Sequence, residues 1–359
     1  MLDQVDILED DILRQYPGVL EKLLLDHTTR KRIFWATDSY KDMGEGYQFN
    51  DEISVEHITG ANGQIIQPRA LKDSKEQTQR TKDKAEVFTP SWVCNAQNNL
   101  IDEQWFGRKD VFNVEVEENG VHTWIPTPGK IEFTDTRKGG NRTWQAYVRD
   151  RRMEITCGEA PYLVSRYDTV TGELIEDLNM RVGLLDRKMR VINENVTDHD
   201  EWIKMAKDAL KSTYGYEWQG DSLLLAREAL LFTVIDYYKA QFPDIPIDEE
   251  DVVAYAYIIS WNLWQMDGLR MVVPGSCDNV YAENLFGEME KQECTACKKG
   301  ELTGHVGIKC KIRDWKKKRD PKWQPQDEEE KADLEAGGRP WQKITFQSLL
   351  TNPSKDSEE

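Results

Sequence analysis

The sequence predicts an α/β protein, and three stretches carry that prediction. In the first, Met153-Glu154-Ile155-Thr156-Cys157-Gly158-Glu159-Ala160-Pro161-Tyr162-Leu163, an apolar strand ends on an acid and turns through a glycine. A glycine where strand gives way to helix lets the backbone come close to a ligand, with helix amides facing its polar groups. The second, Tyr214-Gly215-Tyr216-Glu217-Trp218, is a short strand closed by an acid and followed by a helical pattern over Ser222 to Tyr238. That helix offers Leu224, Ala226, Leu230, Leu231, Val234 and Tyr238 for burial. The third is the apolar, aromatic run Val252 to Leu263, read as a strand, which leads to Trp264-Gln265-Met266-Asp267-Gly268-Leu269. Strands alternating with helices, each strand ending on a carboxylate, fit a layered sheet with ligands at its strand ends.

From the beginning of the chain, apolar residues recur at helical spacing through Leu13 and again over Val19 to Leu25, so residues 1–84 read as a helical N-terminal region and linker. Lys31 to Ala36 suits a short helix or strand, and Gly60, Asn62-Gly63 and Pro68 mark turns. Ser91 to Ile101 predicts a helix. Asn113 to Trp124 alternates around Asn119-Gly120 and predicts a hairpin. Pro126, Pro128 and Gly139-Gly140 make 125–143 loop-rich within an insertion at 110–143, and Trp144 to Arg151 reads as a short helix before the central strand. Val182 to Lys188 and Asp200 to Leu210 read as helical. Residues 85–276 thus form the main α/β unit.

Beyond it, Cys294-Thr295-Ala296-Cys297 has a knuckle's spacing, with His305 and Cys310 placed to complete four ligands for a structural zinc ion. Cys277 is the alternative to His305. Six cysteines in 359 residues, without dense spacing, fit reduced thiols and a metal site better than a disulfide framework. Lys309 to Lys322 concentrates Lys311, Arg313, Lys316, Lys317, Lys318 and Arg319 around Trp315, either as a phosphate contact or as a charge run balancing Asp327 to Glu330. Residues 277–325 therefore read as a zinc-knuckle-like and basic segment. Residues 326–359 read as a linker, a short element and a disordered tail.

The net charge of −18 disfavours a surface that grips a duplex unaided. It leaves a local patch, a DNA-contacting partner, or mimicry of DNA by an acidic inhibitor. No apolar run approaches the ~20 residues that span a bilayer. The acidic N-terminus lacks the pattern of a secretory leader, so the expectation is a cytoplasmic protein without a membrane partner.

Glu154 to Leu163 resembles a variant of the first motif of amino-methylating, S-adenosylmethionine-dependent DNA methyltransferases, acidic-Pro-Ala-Cys-Gly-x-Gly-x-Phe-Leu. Ala85-Glu86-Val87-Phe88-Thr89-Pro90-Ser91-Trp92-Val93 is similar to their Glu-Phe-Thr-Pro-x-x-Val segment. Thr213 to Arg227 looks like their second motif, and Asp267-Gly268-Leu269 their third. The whole chain resembles the short methylase subunits of restriction-modification systems, from about Glu56 to about Leu350. That resemblance implies a Rossmann-like methyltransferase fold and S-adenosylmethionine as cofactor. Phe88, Thr89 and Pro90 would line its methionine end, and Glu154, Thr156, Gly158, Glu159 and Ala160 would form the turn. Glu217, with Trp218, would hold the ribose and Asp267 the adenine amine. It further implies methyl transfer to an adenine exocyclic amine in DNA, with a second protein subunit as partner. The chain departs from the family twice. Ala160 replaces the second motif glycine, and no Asn, Asp or Ser followed by Pro-Pro-aromatic occurs, so the catalytic residues are unassigned. Asn352-Pro353-Ser354 and Asn262-Leu263-Trp264 are partial matches. The alternative reading is a catalytically silent interaction protein, or an acidic regulator of DNA-binding defence proteins.

Overall fold

The computed structural model describes residues 7–72, 89–135, 140–278, 281–283, 288–291, 293–318 and 341–351. Phe88, with residues 85–87, lies outside them. So do most of the polar stretch Lys72 to Lys84, Arg319 to Lys322, the acidic 327–338 stretch, Asn352-Pro353-Ser354 and the tail.

Two short helices, α1 (Glu9–Gln15) and α2 (Val19–Leu24), precede a two-residue ribbon of β1 (Leu25–Asp26) and β2 (Lys31–Arg32). After α3 (Val55–Ile58) comes α4 (Ser91–Phe106), five residues longer than expected. The predicted hairpin forms as β3 (Asn113–Glu118) and β4 (Val121–Pro126). Asn119 and Gly120 both adopt left-handed φ, 54° and 80°, as its two-residue turn requires. Thr143 caps α5 (Trp144–Val148), which leads into β5 (Arg152–Glu154). Then follow α6 (Leu184–Asn195), α7 (His199–Lys211), β6 (Thr213–Glu217), α8 (Gly220–Gln241), α9 (Glu249–Asn262) and β7 (Leu263–Gln265). The C-terminal third holds β8 (Tyr281–Glu283) paired with β9 (Met289–Lys291), α10 (Thr295–Lys299), β10 (Lys311–Lys318) paired with β11 (Trp341–Thr345), and α11 (Ser348–Thr351).

The chain is a mixed helix and sheet structure around a parallel three-stranded sheet of order β5-β6-β7, with Met153 beside Tyr214 and Tyr216 beside Trp264. β6, the inner strand, and β7 are both buried throughout, as in a parallel sheet covered on its faces. α8 is buried from Gly220 to Tyr238, so it has no polar face.

Two expectations are corrected. Val252 to Leu263 is not a strand. Asp248 caps Glu250 and three acids fill the first turn, so the run forms α9, and only its last residue, Leu263, begins β7. A run of twelve residues, apolar but for Ser260 and Asn262, exceeds an ordinary strand, and burial around most of the helix hides its period. The turn after Glu154 does not run into a helix either. Thr156, Gly158 and Ala160 all have left-handed φ (47°, 54° and 62°), and the next α-helix, α6, starts only at Leu184.

Buried side chains from 7–66 and from 310–315 belong to the same apolar core as those of 111–273. His27 stacks on Trp261 at 3.9 Å, and the Arg313 guanidinium lies 4.7 Å from the same indole. The Lys311 amide donates to Thr28 Oγ1 at 3.0 Å. The basic run is thus partly internal: Ile312, Arg313 and Trp315 are buried.

Asp186, fully buried on α6, accepts from the Ser165 amide (2.8 Å), the Ser165 hydroxyl and the Gly183 amide. Burial pushes its carboxyl up to about 6, against the pull of Arg181. Between roughly pH 4 and 6 the native state therefore holds a proton that the unfolded chain has released. This contribution is present below the unfolded pKa and is lost as pH rises through the folded one, about 3 kcal/mol in all. Asp186→Asn should flatten the dependence of the urea midpoint on pH in that window and leave it unchanged elsewhere.

Candidate functional site

Two groups of chemistry-bearing residues stand out. The first gathers at the C-terminal ends of the parallel strands. Glu154 is the last residue of β5, Glu217 the last of β6, and Asp267 lies two residues past β7. All three are buried. The Cys157 amide donates to the Tyr216 carbonyl at 2.9 Å, so the turn remains anchored to β6. Glu217 Oε2 accepts from the Gly158 amide at 2.9 Å and Oε1 from the Gln219 amide at 3.2 Å. Glu154 Oε2 accepts from the Leu163 amide at 3.2 Å. Burial raises both carboxyls, Glu154 well above the usual carboxylate range; the Glu217 charge adds to the rise at Glu154 and the Asp221 charge to that at Glu217. The amides of the turn thus point at the protein's own carboxylates, a further correction to the expected helix terminus.

The other predicted site residues divide. Glu159 is buried and faces away, accepting from the Arg69 amide (2.7 Å) and the Tyr167 hydroxyl (2.6 Å). Thr156 is exposed and bonds to the Ile155 carbonyl, whereas Ala160 is fully buried. Trp218 donates its indole N–H to the Ala36 carbonyl at 3.0 Å, and Asp267 Oδ1 caps the amides of Leu269 and Arg270. Thr89 and Pro90 lie at the start of α4, where the Thr89 carbonyl accepts from Thr169 Oγ1 at 3.1 Å. Tyr162, one residue before Leu163, also hydrogen-bonds to Thr89, so this segment adjoins the turn. Gln219 is a residue that sequence reasoning missed. Its Oε1 is buried two positions beyond Glu217 with no partner among the described residues. Only proximity to Glu217 could have marked it.

The second group is a candidate metal centre. Cys277, Cys294, Cys297 and His305 place one ligand atom each within 4.8 Å of one another. Cys294 Sγ is 3.6 Å and Cys297 Sγ 3.4 Å from His305 Nδ1. A tetrahedral zinc ion with ordinary bond lengths spaces sulfur and nitrogen ligands about 3.6 Å apart. His305 Nε2 donates to the Glu301 carbonyl at 2.8 Å, which leaves the Nδ1 lone pair turned toward the thiols. The Val306 amide draws the Cys294 thiol down to about 6, while burial pushes Cys297 up to about 12. Gly307 is needed for this packing, because a Cβ there would stand 2.9 Å from Cys277 Sγ and 2.5 Å from Ser276 Oγ. Three sulfurs and one imidazole make a closed donor set that can hold a metal ion and suits zinc.

Cys310, expected as the fourth ligand, is not in this group. It is fully buried in the main core, and its thiol donates to the Gln265 carbonyl at 3.4 Å. Cys277 completes the set in place of Cys310, not of His305. Counting residues favoured Cys310, five positions from His305, but Cys310 already belongs to the run that enters the core as β10. Among the described residues no helix is long and apolar enough to cross a membrane. Compared with protein-family models, with curated proteins and with solved structures, the chain matches none.

Proposed function

We propose that this chain is an S-adenosylmethionine-binding, methyltransferase-like subunit built on half of a Rossmann-like sheet. The observation that carries the reading is the order β5-β6-β7, parallel and consecutive, with Glu154, Glu217 and Asp267 at or just past the same ends. Open parallel sheets bind ligands outside those ends, and an acid closing the second strand suits a ribose. The donor inventory fits. The backbone amides of Gly158, Trp218 and Gln219 serve the Glu217 carboxylate, whose roughly four lone-pair sites leave one for a ribose hydroxyl. The buried Gln219 Oε1 supplies another acceptor beside it. Thr89 and Pro90 would border the methionine end, and Asp267 would receive the adenine amine. The bound cofactor would supply the electrophilic methyl group. This chain's residues would bind and orient it.

Methyl transfer to an adenine exocyclic amine in DNA needs a polar-Pro-Pro-aromatic loop to position the flipped base, and the sequence has none. In this reading a partner subunit brings that loop and most of the DNA contact, in keeping with a net charge of −18 and with the burial of Arg313. Calorimetric titration of the metal-replete protein with S-adenosylmethionine should give a Kd in the micromolar range, weakened at least tenfold by Glu217→Ala. Absence of binding by the folded, unaltered chain would sink the cofactor reading and leave the fold as an assembly platform.

A further inference from the structure

Asp267 and the metal centre share one short stretch of backbone. The Asp267 amide donates to the Val272 carbonyl at 2.9 Å, and its carbonyl accepts from the Met271 amide at 2.7 Å. Its Oδ1 accepts from the Leu269 and Arg270 amides, so the acid closes a tight turn whose return arm is 271–273. That arm is paired on its other side with 308–310. The Val273 amide donates to the Ile308 carbonyl at 2.8 Å, and the Cys310 amide to the Met271 carbonyl at 3.3 Å. Ser276 Oγ fastens the same pair, accepting from the Ile308 amide at 3.0 Å and donating to the Val273 carbonyl at 2.6 Å. Cys277 follows Ser276 directly, and His305 stands three residues before Ile308, so the two arms end on two of the metal's ligands.

The return arm lies between two cores. Met271 and Val273 turn into the main one, and Val272 into a small one formed with Cys277, Cys294 and Ala296. Two of those four side chains are metal ligands. A core of that size cannot hold by burial alone, and in such units the metal supplies the free energy of ordering. A side-chain link runs in parallel. Arg270 Nε lies 3.5 Å from Asp267 Oδ2, and the same positive charge favours the Cys297 thiolate. Three thiolates and a neutral imidazole around a divalent ion leave one net negative charge, which Arg270 balances while it pairs with Asp267.

We infer that the metal centre positions Asp267, so that metal occupancy governs how tightly the strand-end site holds an adenine-bearing ligand. The inference rests on the cofactor reading above and adds a control to it. With the ion bound, the Val272 side of the return arm is clamped and the Asp267 carboxylate is held in one orientation for the adenine amine. Without it, Val272 loses ordered neighbours, Arg270 loses its second electrostatic partner, and the carboxylate is free to turn. Linkage makes the effect reciprocal, because a ligand that binds more tightly to the metal-loaded form must tighten the metal by the same factor.

The test compares metal-loaded protein with protein stripped by a chelator under reducing conditions. Calorimetry with S-adenosylmethionine should show affinity at least about fivefold lower in the stripped form, restored by added zinc. Asp267→Asn should weaken binding to the loaded protein and have little further effect on the stripped one, whereas a general loosening of the fold would make the two losses equal. Unchanged affinity on stripping, or equal losses, overturns the proposal and leaves the cofactor reading standing. If the loaded protein binds no S-adenosylmethionine, the cofactor reading fails and amide exchange decides the present one. The Leu269 and Arg270 amides, which Asp267 caps, should exchange faster after stripping, which upholds the metal's hold on Asp267, and no change overturns it. Should stripping unfold the chain, Arg270→Gln in the loaded protein takes its place. Losses of about fivefold or more in both cofactor and zinc affinity are then expected, and unchanged affinities overturn the proposal.

Discussion

Purified protein should carry one zinc ion per chain, and Cys277→Ser should lose it while Cys310→Ser keeps it. The four atoms of the cluster converge within 4.8 Å, whereas Cys310 is committed to the Gln265 carbonyl in another core. Closed structural zinc sites are worth about 10–16 kcal/mol of binding at neutral pH, so deleting one of four ligands should weaken affinity by at least about a hundredfold. Elemental analysis after dialysis reads this directly. The reverse pattern, zinc lost with Cys310→Ser and kept with Cys277→Ser, would exclude the Cys277 set. Val272, Cys277, Cys294 and Ala296 form a small core of their own, so metal removal should spare the main unfolding transition. Its effect should appear locally. Val272 bridges Asp267 on one side and Lys309 on the other. Chelation should therefore speed amide exchange through 267–277 and 305–310 without doing so in α8.

Arg227→Ala should be among the most damaging single substitutions, costing about 3–5 kcal/mol in urea denaturation. Arg227 is fully buried on α8, and its guanidinium donates to the carbonyls of Leu23, Leu25, Ser260 and Leu263. Burial draws its pKa down to about 10, so it remains charged at neutral pH. Truncation would take a donor from four carbonyls at once and leave a cavity among α2, α9 and β7. Arg227→Lys would keep the charge but not the planar fork that reaches both sides, and should recover only part of the loss. A loss below about 1 kcal/mol for the alanine variant would mean that water replaces the fork, and that Arg227 does not tie the N-terminal helices to the sheet.

Strand and helix signals with their own punctuation were legible in the sequence. Glu217 closing β6, the Asn119-Gly120 turn and the long helix after Gly220 all follow from local chemistry. What failed was decided by tertiary partners. α9 was misread because burial around it erased its helical period. The turn after Glu154 was misread because strand-to-helix and strand-to-left-handed-turn begin alike, and the amides of Gly158 and Leu163 found carboxylates nearby. The knuckle pair and His305 were visible from spacing, but the choice between Cys277 and Cys310 depended on which thiol β10 carries into the main core. Buried polar residues such as Asp186 and Arg227 leave almost no trace in sequence, since nothing in a charged residue's neighbours says that it will be internal.

The contacts of Trp261 have a mechanical meaning. His27, near one end of the chain, and Arg313, near the other, both rest on this one indole, and Thr28 accepts the Lys311 amide beside them. Tension applied between these two regions would be borne in part by this short path across α9. The fold is in this sense a closed loop fastened by a clasp, and a sequence change at Trp261 would be felt at both ends of the chain before it was felt in the strands between.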